Sequence, residues 1–173
     1  MRFYSGFCLW NEKELFSDYL DNSEFCVAGF SFGAQKAVID AVHTKKRVDK
    51  VQLISPAFFK NSSKFKKLQL NGFKKDKKSY IKTFIENIQY PSQFDVSKYI
   101  DDCNVEELEE MFNFNWGLIE YLKDVKIEIF IGSEDKIIDV EGALKFFKNY
   151  GDVYFIKGVG HLLKGNYKKE GEL

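Results

Sequence analysis

The sequence predicts an α/β fold with about five mainly parallel strands, and three observations carry that expectation. Short runs rich in β-branched and aromatic residues recur along the chain, stretches of helical periodicity separate most of them, and one long polar segment interrupts the alternation. With 173 residues, 45% of them apolar, the chain can bury one proper core, so a single domain spanning 1–173 is expected.

Taken in order, Arg2–Ser5 reads as the first strand and Glu12–Leu20 as a helix. Phe25–Ala28 is an apolar run that opens into Gly33–His43, where Ala34, Ala37, Val38 and Ala41 fall on one helical face. Val51–Ile54 is the third strand. Ile127–Ile131 and Val153–Ile156 are the last two strands, with Val140–Tyr150 as the helix between them and Asp139 placed to cap it. Roughly 65 residues, about 56–123, separate the third and fourth strands where about a dozen would do. This section reads as a helical cap inserted into the α/β frame.

Charge is balanced overall, with 26 basic and 26 acidic side chains, so no global field draws the chain to nucleic acid. No apolar run is long enough for a membrane span, and Ser5 and Gly6 interrupt the apolar start before it could form a signal-peptide core. The charge is nevertheless segregated within the cap. Lys60 to Lys82 holds nine lysines against Asp76 alone, and Asp101 to Asp124 holds eight acids against Lys123 alone. The two segments either neutralise each other or leave a basic face, including Lys64, Lys67, Lys74, Lys75, Lys77 and Lys78, for an acidic partner. Cys8, Cys26 and Cys103 are odd in number and lie in or near apolar runs, which suits reduced packing residues in the cytoplasm.

The stretch "FCVAGFSFGAQKAV" (25–38) holds the chemistry-bearing motif. Ser31 stands between Gly29 and Gly33 where a strand ends and a helix begins, the context of a nucleophile elbow. The glycines are needed because a Cβ would collide with the neighbouring strand or helix, and the helix start aims free N–H groups at developing negative charge. The competing reading is a plain strand-to-helix corner with an inert serine.

A serine nucleophile needs a base, and the chain has two histidines. His43 lies about 15 Å or more along the helix from Ser31, too far to serve. His161, in "FIKGVGHLL", follows the last strand at the edge of the sheet that carries Ser31. The acid is expected in "IEIFIGSEDKIID", where Asp135 stands three residues past Gly132, close to the strand end, Glu134 is the fallback and Asp139 is the helix cap. The order Ser, Asp, His is that of α/β-hydrolases and differs from the chymotrypsin and subtilisin orders.

Together "FYSGF", "GFSFG", "GSEDKI" and "GVGHLL" resemble a minimal α/β-hydrolase, and the whole chain, including "FKKLQLNGFKKDKKSY" and "VKIEIFIGSEDKI", is similar to the small BioV-type pimeloyl-[acyl-carrier protein] methyl ester esterases of biotin synthesis. The resemblance implies a catalytic triad of Ser31, Asp135 and His161, with no cofactor and no metal. It also implies a substrate that the residues do not reveal, a methyl pimeloyl chain on the phosphopantetheine arm of acyl carrier protein. Fold logic puts the oxyanion donors at the backbone N–H groups of Phe32 and Phe7. Ser5 stands where relatives carry histidine, a departure that alters hydrogen bonding within that loop. Two alternatives are an acyl thioesterase or general carboxylesterase with the same triad, and a catalytically silent hydrolase-like binding protein.

Three strands of a full hydrolase sheet are missing from this reading, leaving five in sequential order. Right-handed crossovers would put most helices on one face, yet parallel sheets need cover on both. The chain is therefore expected to have either a left-handed first connection or a second copy covering the open face as a homodimer.

Overall fold

The computed structural model describes residues 1–60 and 62–166; position 61 of the expected cap and positions 167–173 of the expected domain lie outside them. One sheet runs in sequential order through β1 (Arg2–Tyr4), β2 (Cys26–Phe30), β3 (Lys50–Ile54), β4 (Lys126–Gly132) and β5 (Asp152–Ile156), and each adjacent pair is parallel. The strands follow the expected runs to within two residues at each end.

Alternation along these strands divides the core into two faces. Val27, Val51, Leu53, Ile127, Ile129 and Ile131 point to one side, where they meet α1 (Phe32–His43), α5 (Val140–Phe147) and a 3-10 turn at Trp116–Leu122. Ala28, Phe30, Ile54 and Phe130 point to the other. That side is covered by a 3-10 turn at Glu12–Phe16 and by the cap helices α2 (Ser63–Lys75), α3 (Lys77–Gln89) and α4 (Val105–Asn113). The cap helices begin where their sequence has side-chain caps: Ser62 accepts from the Phe65 N–H, Asp76 from the Ser79 N–H, and Asn104 forms a capping box with Glu107.

The first connection thus crosses the sheet on the face opposite α1 and α5, and its hand is opposite to theirs. This is the left-handed arrangement, and it covers both faces within one chain. The expected helix over 12–20 contracts to the 3-10 turn, because Phe16 and Leu20 are both drawn into the core from a connection that must also hold the loop after β1.

The reduced state expected for the cysteines is corrected for two of the three. Cys8 and Cys103 form a disulfide across 95 residues of chain. Residues 8–10 run antiparallel to 99–101: the Trp10 N–H donates to the Tyr99 carbonyl (2.8 Å) and the Asp101 N–H to the Cys8 carbonyl (2.9 Å). That pairing brings the two Cα atoms to 4.9 Å. Cys26 is the free, buried cysteine, its thiol pushed up to about 11 by burial. Of the thiols expected to be reduced, as the cytoplasm would keep them, Cys26 alone remains. No helix among the described residues is long and apolar enough to cross a membrane.

Candidate active site

The end of β2 turns into α1 through Ser31, whose backbone holds φ 55 and ψ −115. A side chain rarely adopts that conformation, and the surroundings over-determine it. The Ser31 N–H donates to the Ile54 carbonyl at 2.9 Å, and its carbonyl accepts from both Ala34 and Ala57 N–H at 3.1 Å. The two glycines are required by close approach. A Cβ on Gly29 would sit inside the Gly33 carbonyl, and one on Gly33 would strike the carbonyls of Tyr4 and Ser5. The loop after β1 therefore lies directly against the elbow.

Asp135 and His161 converge from the loops after β4 and β5. His161 Nδ1 donates to Asp135 Oδ2 at 2.6 Å, with both side chains fully buried. The other Asp135 oxygen is fixed by the N–H groups of Ile137 (2.8 Å) and Ile138 (3.3 Å), so the carboxylate cannot rotate freely. The Ser55 hydroxyl donates to the His161 backbone carbonyl (2.7 Å), and the Phe30 ring lies 4.9 Å from the imidazole, centroid to centroid. Asp139 accepts from the Gly142 N–H (3.2 Å) and caps α5, and Glu134 is exposed. His43 closes α1 with an exposed ring.

With Nδ1 committed to a carboxylate, His161 Nε2 is left as the acceptor nitrogen. Ser31 Oγ and His161 Nε2 are both buried, and neither has a hydrogen-bond partner among the described residues. Ser31 follows β2 and His161 follows β5, at the same end of the parallel sheet, and catalytic hydrogen bonds of a serine and its base are often unmade until substrate tightens them. The Phe32 and Phe7 N–H groups likewise meet no acceptor among the described residues.

The site is closed. Ser31 is 1% exposed and His161 0%, and the Phe7 ring packs edge-on to Phe84 (5.5 Å) and near Phe73 (6.2 Å) of the cap. Beneath the cap lies a cavity of about 230 Å³ lined by Phe59, Phe65, Tyr80, Phe84, Met111 and Phe112. It touches Ile137, two residues from Asp135. Phe58, Phe114 and Trp116 pack instead on the opposite face of the sheet.

The lysine-rich and acid-rich segments do not neutralise each other. Lys77 to Asp102, at 2.6 Å, is the one ion pair joining them among the described residues. Lys64, Lys67, Lys74, Lys75 and Lys78 are exposed along α2 and α3.

Sequence reasoning missed two polar groups beside this site. Glu12 is fully buried and accepts the Gly6 N–H at 2.7 Å. Gln35 spans from α1 to the Ala57 and Met111 carbonyls, at 2.9 Å each, tying the elbow helix to α4.

The parallel sheet, the strained elbow and the strand-end loops define an α/β-hydrolase fold. Solved structures with this fold superpose on the chain. An esterase from Exiguobacterium antarcticum matches with a TM-score of 0.59 and 19% identity over 78% of this chain and 58% of that one. A carboxylesterase of the thaumarchaeon Nitrososphaera gargenis gives 0.54 and 13% over 79% and 57%. A monoacylglycerol lipase from Paleococcus ferrophilus gives 0.50 and 15% over 79% and 59%. The likeness is one of fold, and the chain spans less than three fifths of each of these structures. No family model and no curated protein sequence matches the chain.

Proposed function

We propose that the protein is a serine carboxylesterase that hydrolyses the methyl ester of pimeloyl-[acyl-carrier protein] in biotin synthesis. The observation that carries the hydrolase part is the buried Asp135–His161 pair, its Nε2 unpartnered, at the rim where the Ser31 hydroxyl stands on a positive-φ elbow. The ester specificity rests on the resemblance of the motifs, the aromatic cavity under the cap and the unneutralised lysine face.

In this reading His161 Nε2 takes the Ser31 proton as Oγ attacks the ester carbonyl carbon. The Phe32 and Phe7 N–H groups hold the oxyanion, and Asp135 stabilises the imidazolium. His161 returns the proton to the departing methoxide, so methanol leaves and an acyl-serine remains. Water then attacks the acyl carbon, giving its proton to His161, and collapse restores the Ser31 hydroxyl and frees the carboxylic acid. The enzyme works in the cytoplasm with its carrier protein, and the cap must swing to admit the chain because the site is sealed without it.

Intact-mass analysis of methyl pimeloyl carrier protein after incubation tests this directly. The expected product is lighter by one methylene, with the phosphopantetheine thioester intact. Release of free carrier thiol would identify a thioesterase instead. Because Ser31 and His161 are not hydrogen-bonded in the closed site, a silent binding protein is the second reading; absence of fluorophosphonate labelling at Ser31 would establish it.

A further inference from the structure

We infer that Glu12 is a positioning residue for the oxyanion hole, gripping the loop that presents the Phe7 N–H; this rests on the hydrolase reading above. The carbonyl of Ser5 lies against the start of α1, where a Cβ on Gly33 would stand 2.6 Å from it. In a trans peptide the N–H points away from the C=O. The N–H of the same unit, that of Gly6, points away from the elbow and donates to Glu12 Oε1 at 2.7 Å. The Ser5–Gly6 peptide is thus clamped between the elbow on one side and a carboxyl on the other.

The next peptide inherits its orientation from this clamp. Its carbonyl, on Gly6, accepts the Leu9 N–H at 3.2 Å, so its N–H, on Phe7, is turned the opposite way and meets no acceptor among the described residues. The Ser5 hydroxyl adds a second tie by accepting the Asn11 N–H at 3.3 Å. Ser5 and Glu12 do the holding from opposite ends of one short turn.

The other groups that reach the Glu12 carboxyl, its own N–H and the Ser5 hydroxyl, belong to the same short turn. Glu12 is 0% exposed, and among the described residues it forms no ion pair and its second oxygen is buried without a hydrogen-bond partner. A buried carboxyl with one free oxygen is costly as packing alone. Burial raises its pKa, favouring the neutral form.

The test uses two variants that differ in reach. Glu12→Gln keeps an acceptor at the same distance from Gly6, whereas Glu12→Asp keeps the carboxyl but withdraws it by one methylene. Both are first shown to melt cooperatively, and wild-type Ser31 is shown to react with a fluorophosphonate. Turnover of a p-nitrophenyl ester and inhibition by a trifluoromethyl ketone, which forms a tetrahedral oxyanion adduct, are then compared. Loss of an oxyanion donor typically costs about 10²–10³-fold in kcat. Glu12→Asp is expected to lose at least tenfold in kcat and in ketone affinity alike, with KM within about threefold, and Glu12→Gln to stay within about threefold of wild type in all three. Wild-type kcat in Glu12→Asp, or a loss of kcat with ketone affinity unchanged, would overturn the role of Glu12 while leaving the esterase intact. An equal loss in Glu12→Gln would overturn it too. Failure of wild-type Ser31 to label would overturn the hydrolase reading and this inference together.

Discussion

Ser31 stands in a backbone conformation that strains any side chain and that glycine adopts freely, a difference of about 1–3 kcal/mol. Ser31→Gly should therefore be more stable than Ser31→Ala by about that amount in urea denaturation, while both lose kcat by on the order of 10⁵-fold or more. Equal stabilities would mean the elbow is relaxed. Asp135→Asn leaves the shape of the site but no longer accepts the Nδ1 proton, so kcat should fall by about 10⁴-fold with the melting temperature little changed. Glu12 gives a residue-scale signature in pH. Burial raises its carboxyl above the usual range, outweighing the Gly6 N–H, its own N–H and the Ser5 hydroxyl, which lower it. As pH rises the unfolded chain gives up this proton first, so the folded state loses stability from the ordinary carboxylate value up through the raised one. Glu12→Gln removes that slope, and its melting temperature relative to wild type should climb across this window; parallel curves would show an ordinary carboxyl. Ser31, Asp135 and His161 were legible because each occupies a strand end with its own turn chemistry. Glu12 was not, since nothing in "CLWNEKELF" tells that this acid is buried and its neighbours Lys13 and Glu14 are not.

At the scale of elements, the loop after β1 is held by more than its own turn. Residues 8–10 pair with 99–101, the Tyr99 hydroxyl and Lys98 both bind Glu14, and Cys8 is joined to Cys103 just before α4. The loop after β1 and the 98–103 segment of the cap are thereby one assembly, whereas α2 and α3 pack on that loop through apolar contacts such as Phe73 and Phe84 on Phe7. A crosslink enclosing this much chain restricts the unfolded state strongly, by about 2–4 kcal/mol. Cys103→Ser should lose about that much stability in non-reducing buffer, and dithiothreitol should lower the wild-type melting temperature towards the variant's while leaving the variant unmoved. Identical melting of wild type and variant without reductant would argue against the bond. The strands were readable from their apolar runs and the cap helices from their polar caps. The pairing of two cysteines 95 residues apart was not, because it depends on a ribbon between two irregular segments that carry no periodic pattern.

For the whole molecule, the alternation of strands and helices revealed a parallel sheet, and the sequential order with cover needed on both faces left two solutions, a first connection of opposite hand or a second copy, between which the sequence did not choose. The open question at this scale is what the segregated charge is for. Had the basic and acidic segments been partners, their lysines would be spent on each other, yet a single pair, Lys77 with Asp102, joins them. On the proposed function, the remaining exposed lysines of α2 and α3 lie on the cap that opens for substrate, so an acidic carrier protein drawn to them would arrive where its acyl chain enters. Such steering acts on association and weakens with salt, because exposed charges are screened beyond about 8–10 Å at physiological ionic strength. Lys77 should be left intact in the test, since reversing it would break its own ion pair as well. Lys74, Lys75 and Lys78 changed together to Glu should cut kcat/KM for the carrier-bound ester by about 10-fold or more at low salt, with the gap closing as salt is raised, and should leave hydrolysis of a p-nitrophenyl ester unchanged. A triple variant that hydrolyses the carrier-bound ester at the wild-type rate in low salt would show that this lysine face serves solubility and not docking.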